Sequence, residues 1–363
     1  MIQVASPIIG NEEIDAIDAV LASGRLVQGP EVAELEKSFA KYSDTKYAVA
    51  VNSGTAALHA ALFAAGVGPG DEVITTSFSF IATVNPILFL GAKPVLVDID
   101  PVTYNLDVDL VEQAVTSKTK VIIPVHLYGQ PYDHAELEAI ASKHDLLVIE
   151  DACQAVGATY KNKKTGTLGD IGCFSLYATK NIMCGEGGIV TTDNEEYADA
   201  MKRFRQHGMS GPYEYAHIGF NYRMTDLHAA IAIEQLKKIR QFNERRYHNA
   251  DLLHEGLKDI TGISPPSTAP DRTHVFHQYT IRVTNNFPLT RDELAVALRQ
   301  KEIGTGVYYP KPLHFYDHIA AIGYQKGDFP QAELAASQVL SIPVHPKLEI
   351  EEINYIIKVM NTI

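Results

Sequence analysis

Apolar positions in the N-terminal half of the chain follow two alternating patterns. Short apolar runs bounded by turn residues are typical of buried strands, and the alanine- and leucine-rich or amphipathic segments between them favour helices. The predicted strands are 47–51, 72–76, 94–98, 120–125 and 146–150. The predicted helices are 11–22, 31–41, 55–65, 81–90, 107–115 and 133–144. This alternation predicts an α/β fold with a mostly parallel sheet and helices on both faces.

The second half of the chain completes the large unit and adds a smaller one. Two more strands (171–176 and 188–192) are followed by a long helix at about 225–257, after which Pro265, Pro266 and Pro270 interrupt the regular pattern. The elements predicted beyond them are a strand at 277–283, a helix at 290–300, a strand at 303–308 and helices at 330–339 and 349–361. We therefore expect a large domain, 1–245, and a smaller α+β C-terminal domain, 246–363.

Lys180 is the first candidate for chemistry. It lies between an apolar run that begins at Phe174 and a glycine-rich turn that ends at Gly188. A primary amine there could hold an aldehyde as a Schiff base, and pyridoxal phosphate (PLP) is an aldehyde that supplies an electron sink. The alternative is a solvated surface lysine. Lys180 alone does not decide between them.

A possible anion site follows the first predicted strand. Ser53, Gly54 and Thr55 join strand 47–51 to the helix 55–65. A helix N-terminus there would present unpaired N–H groups and a positive dipole end to an anion, with hydroxyl groups beside them. The alternative is an ordinary helix N-cap.

Two acids end the strand at 146–150. Glu150 and Asp151 follow its apolar residues, and Gln154 lies three positions further on. Ligands of open α/β sheets bind beyond the carboxyl ends of the strands, where a carboxylate could pair with a protonated pyridine nitrogen. Gln154 could reach the same ring. The alternative is a pair of acids at the start of a helix.

A loop rich in glycine, asparagine and arginine precedes the long helix. It contains Arg205, Asn221 and Arg223, and Thr225 or Asp226 would cap the helix. Together with the preceding segments, this loop resembles the DegT or StrS-type sugar aminotransferase family, which is PLP-dependent and has fold type I. The similarity extends over nearly the whole chain and includes the segments 23–30, 91–98, 308–314 and 340–346.

The resemblance implies a role for particular residues. Lys180 would be the Schiff-base lysine and Asp151 the partner of the pyridine nitrogen, with Gln154 at the ring hydroxyl. Phe80 would stack on the ring, with Phe78 as the competing candidate. The implied phosphate ligands are Gly54, Thr55 and Ser175 in the same subunit and Asn221 from the neighbouring subunit. The implied substrate-binding residues are Tyr308, His314 and Arg223.

The activity implied by the resemblance is transfer of an amino group from glutamate to a keto sugar linked to a nucleotide diphosphate, in a homodimer with shared active sites. One alternative is a PLP- or pyridoxamine-phosphate-dependent sugar dehydratase. In those relatives a histidine replaces the lysine, so the presence of Lys180 argues against it. A second alternative is a PLP-binding regulator without turnover, which these residues leave open.

Composition and charge limit the other functional classes. The 363 residues are 46% hydrophobic and 21% charged, which is typical of a globular protein. A net charge of −13 argues against nucleic-acid binding, so cations for an anionic sugar nucleotide would have to be gathered locally. The candidate cations are Arg25, Lys311, Arg223 and His314.

The remaining sequence features concern location and metal binding. No apolar run approaches membrane-spanning length, and the first residues lack a secretory signal pattern. Cys153, Cys173 and Cys184 show no metal-binding spacing, so we expect no metal site and a reducing, cytoplasmic environment.

Overall fold

Fourteen strands and twelve helices make up the computed structural model, which describes residues 1–363. The strands are β1 (Tyr47–Val51), β2 (Glu72–Thr76), β3 (Lys93–Val97), β4 (Thr119–Ile123), β5 (Leu147–Asp151), β6 (Thr159–Tyr160), β7 (Lys163–Lys164), β8 (Ile171–Ser175), β9 (Gly188–Thr192), β10 (Met209–Gly211), β11 (Glu214–Tyr215), β12 (Ile263–Ser264), β13 (Tyr279–Val283) and β14 (Val339–Ile342). The helices are α1 (Asn11–Ser23), α2 (Pro30–Ser43), α3 (Gly54–Ala64), α4 (Asn85–Phe89), α5 (Val108–Ala114), α6 (His134–His144), α7 (Glu195–Phe204), α8 (Asp226–Leu257), α9 (Arg291–Gln300), α10 (Asp317–Ala320), α11 (Pro330–Gln338) and α12 (Ile350–Met360).

Seven strands form the central sheet in the order β1-β9-β8-β5-β4-β2-β3. The pairs β2–β3, β2–β4, β4–β5 and β5–β8 are parallel, and β9 runs antiparallel to both β1 and β8. The predicted mostly parallel α/β sheet is therefore confirmed. All strands except β9 end at the same edge of this sheet.

Helices cover both faces of the central sheet. Alternate strand residues point to opposite faces, so Ile149 packs in the core with α3, α4 and α7. Val148, one position earlier, packs in a core with α5 and α6. The helices α2 and α8 extend this second layer over β1 and β9. No helix in the structure is both long and apolar enough to cross a membrane.

The predicted helix at 81–90 is interrupted. A 3₁₀ turn covers 81–83, and α4 begins afresh at Asn85, with Pro86 in its first turn. Proline has no N–H to donate, is favoured in the first turn of a helix and kinks or breaks a helix interior, which accounts for the new start at Asn85.

The C-terminal region has its own three-stranded antiparallel sheet, β12-β13-β14, and a separate hydrophobic core. The strand predicted at 303–308 is wrong. Ile303 and Gly306 make only isolated bridges, to Ile2 and Ser341, and the third strand is instead β14, which the sequence had assigned to the end of a helix and a loop. The domain boundary at 245/246 stays a prediction, and α8 runs through it.

Candidate active site

A cavity of about 370 Å³ lies at the carboxyl ends of β5 and β8, beside the N-terminus of α3. It brings together eight of the eleven residues to which the family resemblance assigns a catalytic, cofactor-binding or substrate-binding role. These are Gly54, Thr55, Phe80, Asp151, Gln154, Ser175, Lys180 and Tyr308. Asn221, Arg223 and His314 lie outside its wall.

Lys180 lies in the loop between β8 and β9, and its side chain faces the cavity. Desolvation lowers the pKa of its amine, and the nearby Cys153 and Asp151 oppose that shift. Burial disfavours the charged ammonium, so more of the amine is neutral near pH 7 than in an exposed lysine. A neutral amine is the form that reacts with an aldehyde or accepts a proton.

Asp151 ends β5, is 5% exposed and lies in the cavity wall. The Thr83 hydroxyl donates to Asp151 Oδ2 at 2.7 Å, and the Cys153 N–H donates to Oδ1 at 3.2 Å. These two donors hold the carboxylate in one orientation, and one lone pair of each oxygen remains available to a ligand. The neighbouring Glu150 is used elsewhere: its carboxylate accepts from the N–H groups of Gly166, Leu168 and Gly169.

Gln154 connects the cavity to two surrounding loops. Its Oε1 accepts from the Tyr128 N–H at 2.7 Å, and its Nε2 donates to the Tyr309 hydroxyl oxygen at 3.1 Å. Burial, reinforced by the Asp151 carboxylate, raises the pKa of Tyr309, so its phenol stays protonated. Because that phenol accepts from Gln154, its own hydrogen is free to reach a ligand.

The start of α3 has the geometry that suits an anion. Ser53 is the N-cap, and its hydroxyl oxygen accepts from the Ala56 N–H at 3.1 Å. A Cβ placed on Gly54 would lie 2.9 Å from Ser175 Cβ and 3.0 Å from Cys153 Sγ. Only glycine allows this close approach of α3, β5 and β8, and it brings the helix N-terminus, Thr55 and the Ser175 hydroxyl to one wall.

The two candidate aromatic residues occupy different environments. Phe80 is 53% exposed and lines the cavity, and its ring centroid lies 6.0 Å from that of Tyr309. Phe78 is fully buried in a hydrophobic core. Of the two rings, Phe80 is therefore the one placed to stack on a bound planar group.

Asn221 and Arg223 lie on the loop before α8, outside the cavity. The Arg223 Nε donates to Asn221 Oδ1 at 3.1 Å, and Asn52 Nδ2 donates to the Asn221 carbonyl at 3.3 Å. Asn221 is exposed. It is thus held near the strand that leads into α3, with its side chain outside the site of its own chain.

His314 is placed differently from the sequence expectation. Its side chain is fully buried, and its Nε2 lies 3.0 Å from Glu333 Oε1. A side chain without exposed surface cannot contact a substrate in this conformation. Its ring lies edge-on to those of Phe315 and Phe329 instead, and we do not propose it further as a substrate ligand.

Several cavity residues were not found from the sequence. Thr83 donates a hydrogen bond to Asp151, and Tyr309 accepts one from Gln154. His277 lines the wall, and its Nδ1 has no hydrogen-bond partner. Burial lowers the pKa of His277, and the nearby Arg246 guanidinium adds to this shift, so the neutral ring is favoured. Tyr309 lies in the segment 308–314 and Thr83 lies three positions after Phe80, so both are close to residues singled out from the sequence, whereas His277 had no local signal.

Comparison with known proteins identifies the family. A family model described as the DegT/DnrJ/EryC1/StrS aminotransferase family matches residues 7–361. The chain belongs to this family. It is 45% identical to the "Pleiotropic regulatory protein" of Geobacillus stearothermophilus, over 96% of this chain and 93% of that one. It is 40% identical to the UDP-2-acetamido-2-deoxy-3-oxo-D-glucuronate aminotransferase of Pseudomonas aeruginosa, over 95% and 94%.

Solved structures of DegT/DnrJ/EryC1/StrS relatives have the same fold. The structure of S. venezuelae DesV in complex with a ketimine intermediate superposes with a TM-score of 0.93 at 39% identity, covering 97% of this chain and 94% of that one. Structural neighbours include PLP and pyridoxamine phosphate forms. The predicted family, the aminotransferase class, the PLP cofactor and the fold class are therefore confirmed.

The cavity of this chain fits PLP. The cradle at Gly54 and the N-terminus of α3 suit a phosphate, the two free lone pairs of Asp151 suit a protonated ring nitrogen, and the Lys180 amine suits an aldehyde.

Proposed function

We propose that this aminotransferase moves an amino group from glutamate to a keto sugar linked to a nucleotide diphosphate. The observation that carries the amino-transfer chemistry is the convergence of Lys180, Asp151 and the α3 N-terminus on one cavity, and the sugar acceptor is inferred from the family. The family is one of sugar aminotransferases. The name of the Pseudomonas aeruginosa relative specifies an oxo sugar attached to UDP, which favours a substrate of that class.

PLP, when bound, supplies the electron sink that stabilises negative charge on the reacting carbon. In our proposal Gly54, Thr55 and Ser175 hold its phosphate, Phe80 covers one ring face, and Gln154 or Tyr309 meets the ring hydroxyl. Asp151, held by Thr83 and the Cys153 N–H, keeps the ring nitrogen protonated.

Lys180 performs the proton transfers in this proposal. As a neutral amine, its Nζ can accept a proton from the carbon that bears the amino group and return it to another carbon within reach. Its lowered pKa supports this role, because an amine that is largely protonated at the working pH is a poor base. Donor and acceptor use the same cavity in turn, so we expect ping-pong kinetics.

The charge of the cavity wall bears on how an anionic substrate is held. Apart from Lys180, the wall of one chain contains no lysine or arginine, and it carries the carboxylates of Asp151 and Glu186. The diphosphate must therefore meet cations outside this wall. We propose Arg223 for this task, with Arg25 and Lys311, which are both exposed, as further candidates.

We propose that a second copy of the chain completes the site. Large apolar side chains are exposed on the loop that contains Tyr213 and Ile218, which are 84% and 82% exposed, and on Phe80 and Tyr177 at the cavity. Exposed apolar surface of this kind favours burial against a partner. In a two-fold dimer, Asn221 and Arg223 of each chain would then reach the phosphate site and substrate site of the other.

A turnover screen tests the proposed substrate. The purified holoenzyme is supplied with glutamate and enzymatically generated nucleotide keto sugars, with oxaloacetate and pyruvate as competing acceptors. We expect amination of a nucleotide sugar and poor use of the keto acids. Efficient use of a keto acid and of no nucleotide sugar would refute the proposal.

A regulatory function is the second candidate, since one relative at 45% identity is named a pleiotropic regulatory protein. Adding glutamate alone distinguishes the two. A transaminase should convert the bound cofactor to its pyridoxamine form, which changes its absorbance, and the Lys180→Ala variant should not. A holoprotein whose absorbance does not respond to any amino donor would favour a regulator.

A further inference from the structure

Ser79, Thr83 and Asp151 form a continuous line of hydrogen bonds beside the cavity. Ser79 Oγ lies 2.9 Å from Thr83 Oγ1, and Thr83 Oγ1 lies 2.7 Å from Asp151 Oδ2. All three residues are buried: Ser79 is 3% exposed, Thr83 0% and Asp151 5%. All three also line the cavity. The line therefore runs along the cavity wall from Ser79 to the Asp151 carboxylate, and little of its surface is exposed.

The direction of the two hydrogen bonds follows from the chemistry of the groups. An ionised carboxylate can only accept, so the single hydroxyl hydrogen of Thr83 must point at Asp151. Thr83 then has no hydrogen left for Ser79, so Ser79 must donate to Thr83. The oxygen of Ser79 is left as an acceptor, and a ligand group that pairs with it must be a donor.

We infer that Ser79 and Thr83 form a one-way hydrogen-bond chain that positions the Asp151 carboxylate for its pairing with the cofactor ring nitrogen. Thr83 is a positioning residue, because it acts through Asp151. This inference rests on the role proposed above for Asp151.

The same short segment also carries Phe80. Phe80 precedes the 3₁₀ turn 81–83, and Thr83 ends that turn. The bond from Thr83 to Asp151 therefore ties the turn to the end of β5, on which Asp151 lies. One contact thus ties the segment that carries Phe80 to the carboxylate that would meet the cofactor nitrogen.

The test compares Thr83→Val with Thr83→Ser in PLP binding. Valine keeps the shape of threonine and removes the donor, whereas serine keeps the donor. A hydrogen bond to a charged group is strong enough that we expect the PLP dissociation constant of Thr83→Val to rise about tenfold or more. Thr83→Ser should stay within about twofold of the wild type. Fluorescence titration of the cofactor-free proteins with PLP measures the dissociation constants of both variants.

A second readout separates positioning from simple support of the fold. The absorbance of the bound cofactor is followed against pH. Thr83→Val should move the midpoint of this titration in the same direction as Asp151→Asn, by a smaller amount, and Thr83→Ser should restore it. A merely structural role for Thr83 would lower the thermal midpoint of the cofactor-free protein and leave the pH midpoint in place.

The Asp151→Asn variant distinguishes a failure of the hydrogen-bond chain from a failure of the proposed role of Asp151. If it changes cofactor affinity and the pH midpoint while Thr83→Val changes neither, the hydrogen-bond chain is refuted and the role of Asp151 stands. If Asp151→Asn changes neither, the proposed role of Asp151 is wrong and the inference falls with it.

Ser79→Ala keeps the inference testable should Thr83→Val fail to fold, because it removes only the first donor. A small shift of the pH midpoint in the same direction as in Asp151→Asn supports the hydrogen-bond chain, and an unchanged pH midpoint refutes it.

Discussion

Glu150 and Asp151 are adjacent in the chain, yet their carboxylates serve opposite sides of β5. Asp151 faces the cavity, with Thr83 and the Cys153 N–H as its donors. Glu150 is 0% exposed and accepts from three backbone N–H groups of the turn before β8, while His126 Nε2 lies 2.8 Å from its Oε2. Alternation along the strand thus places one acid in the cavity wall and the other against the turn before β8.

The different surroundings of the two acids predict that one substitution lowers turnover and the matched one lowers stability. Asp151→Asn keeps the shape but removes the charge that would hold the ring nitrogen protonated. We expect turnover to fall by about 10²–10³-fold, with PLP still bound and little change in thermal stability. Measurements are single-turnover rates, the absorbance of the bound cofactor and the thermal midpoint.

Glu150→Gln is the control for that experiment. An amide group would turn an N–H towards backbone N–H donors, which should cost about 2–3 kcal/mol of folding free energy. The cofactor absorbance of the folded fraction should remain that of the wild type. Near-normal turnover of Asp151→Asn would remove Asp151 from the mechanism, whatever Glu150→Gln does.

Phe80 and Phe78 offer a second matched pair. Phe80→Ala removes an exposed ring at the cavity, so we expect weaker PLP binding and an almost unchanged thermal midpoint. Phe78→Ala removes a fully buried ring and should cost about 3–5 kcal/mol of stability. PLP titration together with chemical denaturation measures both effects. Equal PLP affinity of Phe80→Ala and the wild type would contradict stacking by Phe80.

The shared site of the proposed dimer can be tested by subunit exchange. Lys180→Ala should be inactive, and Asn221→Asp should be strongly impaired because it sets a carboxylate against the phosphate. If Asn221 serves the other subunit, a mixed dimer has one site with Lys180 and Asn221 both intact. With random exchange about half of the dimers are mixed, so roughly a quarter of wild-type activity should return. No recovery after confirmed exchange would mean that Asn221 does not act across the interface.

The buried His59 should contribute to the loss of fold stability in acid. It is 1% exposed on α3, and burial lowers the pKa of its ring to about 4. In the unfolded chain a histidine titrates near pH 6.5, so between these values the unfolded state binds more protons. The free energy of unfolding should therefore fall as pH drops from about 6.5 to about 4, by up to roughly 3 kcal/mol from this residue.

The His59→Asn variant isolates that contribution. Asparagine keeps a polar group near the Tyr222 hydroxyl, which lies 3.0 Å from His59 Nδ1, but does not titrate. The variant should lose less stability than the wild type over this pH range in urea denaturation. His274 and His345 have lowered pKa values of about 3 and about 4, so part of the slope will remain. Substitution of the exposed His254 is the control, and an identical slope in His59→Asn and wild type would contradict the prediction.

The residues that the sequence placed at the site lie beside local structural signals. Gly54 and Asp151 follow apolar strands, and Lys180 precedes a glycine-rich turn, so each could be assigned to the end of a strand. Parallel strands bring their carboxyl ends to one edge, which is why these residues meet in the cavity. Their roles stay predictions, but their proximity follows from the sheet.

What could not be predicted depends on contacts between distant parts of the chain. The bond from Thr83 to Asp151 spans 68 positions and leaves no periodic trace in the sequence. The segment 303–308 has a strand-like apolar pattern, but its neighbours Ile2 and Ser341 each pair with only one of its residues. His314 follows an aromatic motif at the cavity, but Glu333, 19 positions away, holds it in the interior.

The close approach at Gly54 also has a consequence for how the protein matures. The wall formed by Gly54, Cys153 and Ser175 exists only when α3, β5 and β8 have docked, and these segments are far apart in the chain. Non-local pairings of this kind form slowly, since the chain between them must be ordered first. Capture of PLP therefore becomes possible only after the central sheet is assembled, so uptake of the yellow cofactor is a visible marker of completed folding.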